Sequence, residues 1–293
     1  MKILILGVTG MLGHILFEQL MKDERLEVYA TARSADYLYN WVPEPAREKL
    51  ILDVDANNYE TIVKVMETVR PQMVINCIGI IKHLPVANDP ILGISINSLL
   101  PHKISLLCKS LRSRMIHIST DCIFDGKRGN YKEDESSNAD DFYGRTKYLG
   151  EVGYEPHCVT IRTSIIGHEL KNKYGLIDWF LAQKIKVRGF TNAIYTGFPT
   201  IEMVRIMRDF IIPNPLISGI YNVSSDPISK HELLKLVAGE YDNNIEIEPY
   251  DDFKINRSLN SDRFRGETGY KPPAWKDMIK QMHEHYAASV CYR

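Results

Sequence analysis

The sequence predicts an α/β fold, a doubly wound parallel sheet with helices on both faces followed by a smaller α+β region. Three observations predict it. Short β-branched apolar runs alternate with helical patterns through the first half, those runs lack period-2 alternation, and a glycine-rich turn joins the first run to the first helical pattern. Strands covered by helices on both sides need apolar residues at every position, which is why a parallel sheet reads as continuous apolar runs.

Each element follows from its local pattern. Ile3 to Leu6 is the first strand, and a helix from Met11 to Met21 opens after the glycine turn. Further strands are read at Val28 to Ala32, Met73 to Ile78, Met115 to Ser119 and Cys158 to Arg162. Tyr59, Ile62, Val63, Met66 and Val69 recur at helical spacing, and Pro71 stops that helix just before the next strand. After about residue 163 the pattern changes to helices at Gly175 to Lys186, Thr200 to Ile212, Ser229 to Tyr241 and Pro273 to Tyr286. Short strands separate them at Ile220 to Val223 and Ile245 to Glu248.

Composition excludes several classes. The 293 residues are 44% hydrophobic and 25% charged, enough for an ordinary buried core. With 36 Lys+Arg against 37 Asp+Glu and no basic block, neither nucleic acid nor a membrane surface is an expected partner. No apolar stretch is read as approaching the roughly 18 residues that span a bilayer, and no signal peptide is expected. Cys77, Cys108, Cys122, Cys158 and Cys291 are an odd set without a C-x-x-C, so reduced thiols and a cytoplasmic setting are expected. No metal site is predicted.

The turn after the first strand is Gly7-Val8-Thr9-Gly10-Met11-Leu12-Gly13. Glycines at this spacing allow a tight turn and let backbone N–H groups approach a pyrophosphate, while the helix N-terminus favours the anion. The context of strand, turn and helix makes this a Rossmann-type dinucleotide site, with Gly7, Thr9, Gly10, Met11, Leu12 and Gly13 as cofactor contacts. Past the second strand stands Arg33 where an NAD-selective site carries an acid, and a guanidinium there suits the 2′-phosphate of NADP. Residues 1–163 are then the dinucleotide-binding domain and 164–293 the substrate-binding region, with a soft boundary that the chain can cross back over.

A second motif carries the chemistry. The fourth of these strands ends in Ser119-Thr120-Asp121-Cys122, and Tyr143 and Lys147 follow four residues apart, on one face of a helix. An ammonium beside a phenol is expected to lower the phenol's pKa toward working pH, and Thr120 can share a hydrogen bond with a substrate oxygen.

Joined to the glycine loop, these motifs resemble the extended short-chain dehydrogenase/reductase superfamily and, within it, the dTDP-4-dehydrorhamnose reductase family. The carriers are Gly7-x-x-Gly10-x-x-Gly13, the segment Arg70 to Asn76, Ser119 to Gly126, Tyr143 to Lys147, Arg162-Thr163-Ser164 and Arg257 to Ser261. The resemblance implies a catalytic set of Thr120, Tyr143 and Lys147, with Tyr143 the proton donor. It implies that Asp53 and Val54 touch the adenine, that Ile78 and Gly79 line the cofactor, and that Asn97 supports a proton relay. It also implies that Arg257, Asn260 and Ser261 lie near the diphosphate of a nucleotide-sugar substrate. Asn192, Tyr195 and Thr200 stand as further pocket liners, and a homodimer is compatible with the family.

Two departures bear on the substrate. Ile165-Ile166 replaces an aromatic pair, and Gly79 to His83 replaces a small-residue loop, so the sugar pocket has changed. Asp121 is followed by Cys122 rather than the Glu of related dehydratases, which leaves carbonyl reduction with NADPH as the expected reaction. Cys122 also matches the cysteine of epimerase/reductases, but the position of their partner histidine is Gly175, so Cys122 is read as a packed small residue. The rival readings are a non-catalytic, NADP-binding regulatory subunit of the same family and a nucleotide-sugar epimerase/reductase.

Overall fold

In the computed structural model, which describes residues 1–36, 38–82, 88–171 and 174–292, the apolar runs of the first half build a seven-stranded parallel sheet. Its strands are β1 (Lys2–Leu6), β2 (Glu27–Thr31), β3 (Leu50–Ile51), β4 (Met73–Asn76), β5 (Arg114–Ile118), β6 (Cys158–Arg162) and β10 (Gly219–Asn222). They lie in the order β10-β6-β5-β4-β1-β2-β3, parallel at each pairing. Successive side chains of a strand point to opposite faces. Ile3 and Ile5 of β1 therefore enter one apolar core and Leu4 and Leu6 the other. Burying each such side chain is worth about 1.5–3 kcal/mol.

Helices cover both faces. α1 (Met11–Leu20), α2 (Leu38–Trp41), α3 (Glu44–Arg47) and α9 (Thr200–Ile206) lend residues to the first core. α4 (Tyr59–Val69), α5 (Pro90–Gly93) and α6 (Leu100–Leu111) run along the other face, the last two joined through a π-helical stretch, Ile94–Leu99. α7 (Phe142–Leu149) follows β5. The continuous helix Pro90–Leu111 has 22 residues and is apolar enough to cross a bilayer by length and composition. This corrects the expectation that no stretch approaches that length. Its inner face, with Ile96, Leu100, Ile104 and Cys108, belongs to the second core, so its apolarity is accounted for by packing on the sheet.

The second half holds β7 (Ile165–Ile166), α8 (Leu176–Leu181), β8 (Lys186–Tyr195), β9 (Phe198–Pro199), β11 (Ile228–Ser229), α10 (Lys230–Glu240), β12 (Glu246–Asn256), α11 (Asp262–Thr268) and α12 (Trp275–Ala288). β11, β8 and β12 form a small sheet of their own. The chain crosses back, because β10 and α9 complete the sheet and core of the first half. Two readings need correction here. The helix expected over Gly175 to Lys186 ends at Leu181, because Lys186 opens the ten-residue strand β8. Exposed Lys186 and Arg188 alternate with buried Val187 and Gly189, a period-2 signal masked by charges, Gly189 and Asn192. The strand expected at Ile245 to Glu248 runs on to Asn256, since β12 continues along β8 through a register shift between Tyr250 and Lys254.

A buried ion pair ties the catalytic elements together. Arg162 of β6 and Glu151, just past α7, are 2% and 8% exposed, with Arg162 Nη2 donating to Glu151 Oε2 at 2.8 Å and Nε to Oε1 at 2.9 Å. The Ser119 hydroxyl at the end of β5 donates to the same Oε1 at 2.6 Å. Removing one member of such a pair leaves an unpaired buried charge and costs about 3–5 kcal/mol, whereas replacing both by apolar groups is nearly neutral. Urea unfolding should therefore show Glu151→Leu and Arg162→Met each losing about 3–5 kcal/mol, with the double variant recovering most of it. Equal losses in all three would refute the coupling.

Candidate active site

The glycine turn sits where β1 and β2 end side by side. Gly7 N–H donates to Thr31 Oγ1 at 3.3 Å and Val8 N–H to the Thr31 carbonyl at 3.0 Å. A Cβ on Gly13 would stand 2.2 Å from the Gly7 carbonyl oxygen, so the start of α1 lies against the turn as only glycine permits. Gly10 is the N-cap of α1 and offers no side chain to its amides, so those N–H groups remain available to an anion. Thr9, Met11 and Leu12 complete the turn and the first helical residues, with Leu12 buried. Arg33 is exposed two residues past β2, beside the turn that Thr31 holds. Val54 N–H donates to the Ala32 carbonyl at 3.1 Å, which sets Asp53-Val54 against the end of β2.

The other half of the cradle comes from β4. Ile78 lies against Gly7, and the position of a Cβ on Gly79 is 3.5 Å from Asn97 Oδ1 and 4.0 Å from Lys147 Nζ. Asn97 is buried in the π-helical stretch and clamps this loop, its Oδ1 accepting from Ile80 N–H at 2.8 Å and its Nδ2 donating to the Ile80 carbonyl at 3.0 Å. Glycine turn, helix N-terminus and Gly79 thus come together past the ends of β1 and β4, and the residues present fit a dinucleotide.

α7 brings the phenol to the end of β5. Asp141 caps the helix by accepting from Gly144 N–H at 2.7 Å, and Lys82 bonds the same carboxylate at 2.7 Å. Against the cost of burial, these two donors hold Asp141 below the usual carboxylate range. A Cβ on Gly144 would come within 2.2 Å of the Cys122 carbonyl oxygen. The first turn of α7 therefore packs directly on the short helical turn Asp121–Ile123, whose N-cap Thr120 accepts from Cys122 N–H at 3.1 Å.

Charge here differs from the sequence expectation. Burial raises the Tyr143 pKa, Cys122, Asp121 and Asp141 add to the rise, and the Thr120 hydroxyl opposes it. The expected lowering by Lys147 is corrected: the ammonium donates to the Ile118 carbonyl at 2.7 Å. Burial pushes Lys147 down to about 8, against Glu151 and Cys77. The phenol accordingly holds its proton, as a donor must. Burial also pushes the Cys122 thiol up to about 12, with Asp121 adding to it, so the thiol is no ready base. Gly175, the missing histidine position, lies against Met11 instead.

The proposed pocket liners divide. Arg257 reaches the site, its Nε donating to the Phe124 carbonyl at 2.7 Å and its Nη1 lying 3.8 Å from Cys122 Sγ. Tyr195 and Thr200 are buried, the latter against Gly167 at the start of α9. Asn192 is exposed, with its amide donating to the Asp251 carbonyl at 2.9 Å. Asn260 is committed to α11, its Oδ1 accepting from Asp262 N–H at 3.0 Å, while buried Ser261 receives Ser224 N–H at 3.4 Å. The Ile165-Ile166 departure forms β7 against Phe198-Pro199. Of the Gly79 to His83 departure, His83 lies outside the described residues. Sequence reading missed Glu151, although Lys147-x-x-x-Glu151 repeats the helical spacing of the Tyr143 and Lys147 pair.

Comparison with known proteins identifies the family. A family model described as the RmlD substrate binding domain matches residues 1–288. A dTDP-4-dehydrorhamnose reductase of Aggregatibacter actinomycetemcomitans is 23% identical over 235 residues, 77% of this chain and 74% of that protein. The methionine adenosyltransferase 2 subunit beta of Danio rerio is 22% identical over 256 residues, 82% of this chain and 74% of its own. Among solved structures, the dTDP-4-dehydrorhamnose reductase of Bacillus anthracis in complex with NADP shares the fold at a TM-score of 0.80 and 18% identity, covering 97% of this chain and 98% of that one. With the match spanning both the glycine cradle and the Tyr143 pocket, the chain belongs to the RmlD substrate binding domain family.

Proposed function

We propose that this protein is an NADPH-dependent reductase of the 4-keto group of a nucleotide-activated deoxysugar, serving the synthesis of cell-surface polysaccharide precursors. The observation that carries the reading is the convergence of Thr120, Tyr143 and Lys147 beside the Gly79 and Asn97 edge of the dinucleotide cradle. When bound, the dinucleotide supplies a hydride to the substrate carbonyl. The Tyr143 hydroxyl, kept protonated by its buried and anionic surroundings, gives its proton to the forming alkoxide. Thr120 orients the carbonyl oxygen, and Lys147 places a positive charge near the cofactor edge at Gly79. Asn97 holds that edge in position. The five free cysteines support a reducing, cytoplasmic setting.

Similarity to methionine adenosyltransferase subunits favours one rival, a non-catalytic binding subunit. Oxidation of NADPH with a panel of 4-keto nucleotide sugars separates the two. Turnover supports the reductase, and NADPH binding without reduction of any of them supports the subunit.

Tyr143→Phe keeps the ring but removes the proton donor. Steady-state kinetics should show kcat falling by about 10²-fold or more with the Kd for NADPH little changed; near-full turnover would exclude Tyr143 as the acid.

The pH profile tests Lys147. Its folded pKa of about 8 lies below the ordinary 10.5, so the ammonium is present below about pH 8 and is lost above it. Since kcat/KM reports the free enzyme, it should decline as pH rises through about 8. The unfolded chain binds the extra proton between 8 and 10.5, so this group makes the empty protein more stable as pH climbs through that window. A flat kcat/KM profile to pH 10 would remove Lys147 from the essential groups.

Arg33→Ala should raise KM for NADPH far more than for NADH, by the roughly 1.5–3 kcal/mol of a charge-assisted contact to the 2′-phosphate. Equal effects on the two cofactors would take Arg33 out of the site.

A further inference from the structure

Gly10, His14 and Glu18 recur at a spacing of four, which places them in line along one face of α1. The segment that follows α12 lies on that face. Glu18 Oε2 bonds His285 Nε2 of α12 at 2.9 Å and accepts from the buried Ser289 hydroxyl at 3.2 Å. Against the cost of burial, His285 and Lys22 hold this carboxyl down to about 2, so it stays an acceptor. One turn nearer the glycine loop, the fully buried His14 places Nε2 2.8 Å from the Tyr292 hydroxyl and Nδ1 2.8 Å from the Gly10 carbonyl oxygen. A carbonyl only accepts, so Nδ1 carries the ring proton. Burial pushes His14 down to about 4; Gly10 and Glu18 oppose this, and His285 and His168 add to it. The ring is therefore neutral, its Nε2 is a bare acceptor, and the Tyr292 hydroxyl is the donor. Tyr292 is seated in turn by Tyr286, at 5.0 Å between ring centroids, and by His168 at 5.4 Å. His168 is itself held between Asp178 Oδ1 at 2.5 Å and the Tyr241 hydroxyl at 2.9 Å.

This chain of bonds ends on the peptide that opens α1. Gly10, the N-cap, has no side chain to hold it, and its carbonyl accepts from the His14 backbone N–H at 3.2 Å as well as from the ring. A planar trans peptide points its C=O and N–H in opposite directions. The two donors that draw the Gly10 carbonyl into the helix thus aim the Met11 N–H outward, among the unpaired amides of the helix N-terminus. We propose that His14 and Tyr292 are positioning residues for the cofactor: through the His14 ring, the segment after α12 sets the orientation of the Gly10–Met11 peptide and with it the affinity for the pyrophosphate of a dinucleotide. The inference rests on the dinucleotide reading of the glycine turn and not on which substrate is reduced.

The test is calorimetric titration of the intact protein and of Tyr292→Phe, His14→Leu and His14→Asn with NADPH and with 2′-AMP, which carries the adenine, ribose and 2′-phosphate but no pyrophosphate. Tyr292→Phe keeps the ring and its stacking, and should weaken NADPH binding about fivefold, the share of one neutral hydrogen bond. His14→Leu should weaken it about tenfold or more, and His14→Asn, whose amide can donate where Nδ1 did, should recover most of that loss. Affinity for 2′-AMP should stay the same in all three. Imidazole nitrogen NMR of the protein without cofactor reads the contact directly: His14 is expected as the Nδ1–H tautomer, with its Nε2 signal displaced in Tyr292→Phe. Unchanged NADPH affinity in Tyr292→Phe and His14→Leu, even with a lowered Tm, overturns the proposal, as does an Nε2–H tautomer or a parallel loss of 2′-AMP binding. Each of those results leaves the dinucleotide reading standing, whereas an unaltered protein that binds neither NADPH nor NADH overturns both.

Discussion

The ion pair between Glu151 and Arg162 is the constraint on which the site depends. Three elements that carry the chemistry meet at one carboxylate: Ser119 at the end of β5, Arg162 on β6, and Glu151 at the exit of α7. Ser119 precedes Thr120, and α7 carries Tyr143 and Lys147, so the carboxylate fixes the distance between the two halves of the catalytic set. Its own charge is satisfied inside the core by a guanidinium that also donates to the Glu133 carbonyl. A buried pair of this kind is weak evidence for net stability; its effect here is to bond β5, β6 and the exit of α7 to one carboxylate.

The same burial that makes the pair specific sets the protonation states around it. Tyr143 is raised and Lys147 lowered, both chiefly by desolvation. In a reductase this division suits the task, since the phenol must hold a proton and the ammonium must keep its charge only up to mildly alkaline pH. The lysine does not act on the phenol through a direct contact here; its hydrogen bond goes to the backbone end of β5. Its charge bears on the Gly79 edge, where the cofactor fits. Cys122, lying between Arg257 and the phenol, stays a thiol for the same dielectric reason.

The two halves of the chain share one sheet and one core. β10 and α9 leave the second half to finish the first, while β8 and β12 extend as a separate layer that ends near Tyr195 and Arg257. The site around Tyr143 therefore takes Arg257 from a loop of the second half, at Cys122. This is a common position for a site in α/β proteins, where clefts open beyond the carboxyl ends of strands.

What the sequence alone determined was local. The apolar runs of β1, β2, β4, β5 and β6, the helix from Tyr59 to Val69, the glycine turn and the Tyr143 and Lys147 pair all follow from periodicities of a few residues, and these survive in the folded chain because helix and strand geometry is itself local. Tertiary structure alone decided the rest. β8 and the length of β12 depend on each other's hydrogen bonds, and propensity at Gly189, Asn192 and Pro249 argues against strand. Arg257 meets Cys122 across 135 residues, and a pair so distant leaves no periodic trace. The protonation states of Tyr143 and Lys147 were equally illegible, since they are set by removal from water, which is a property of the packed interior and not of any four-residue spacing.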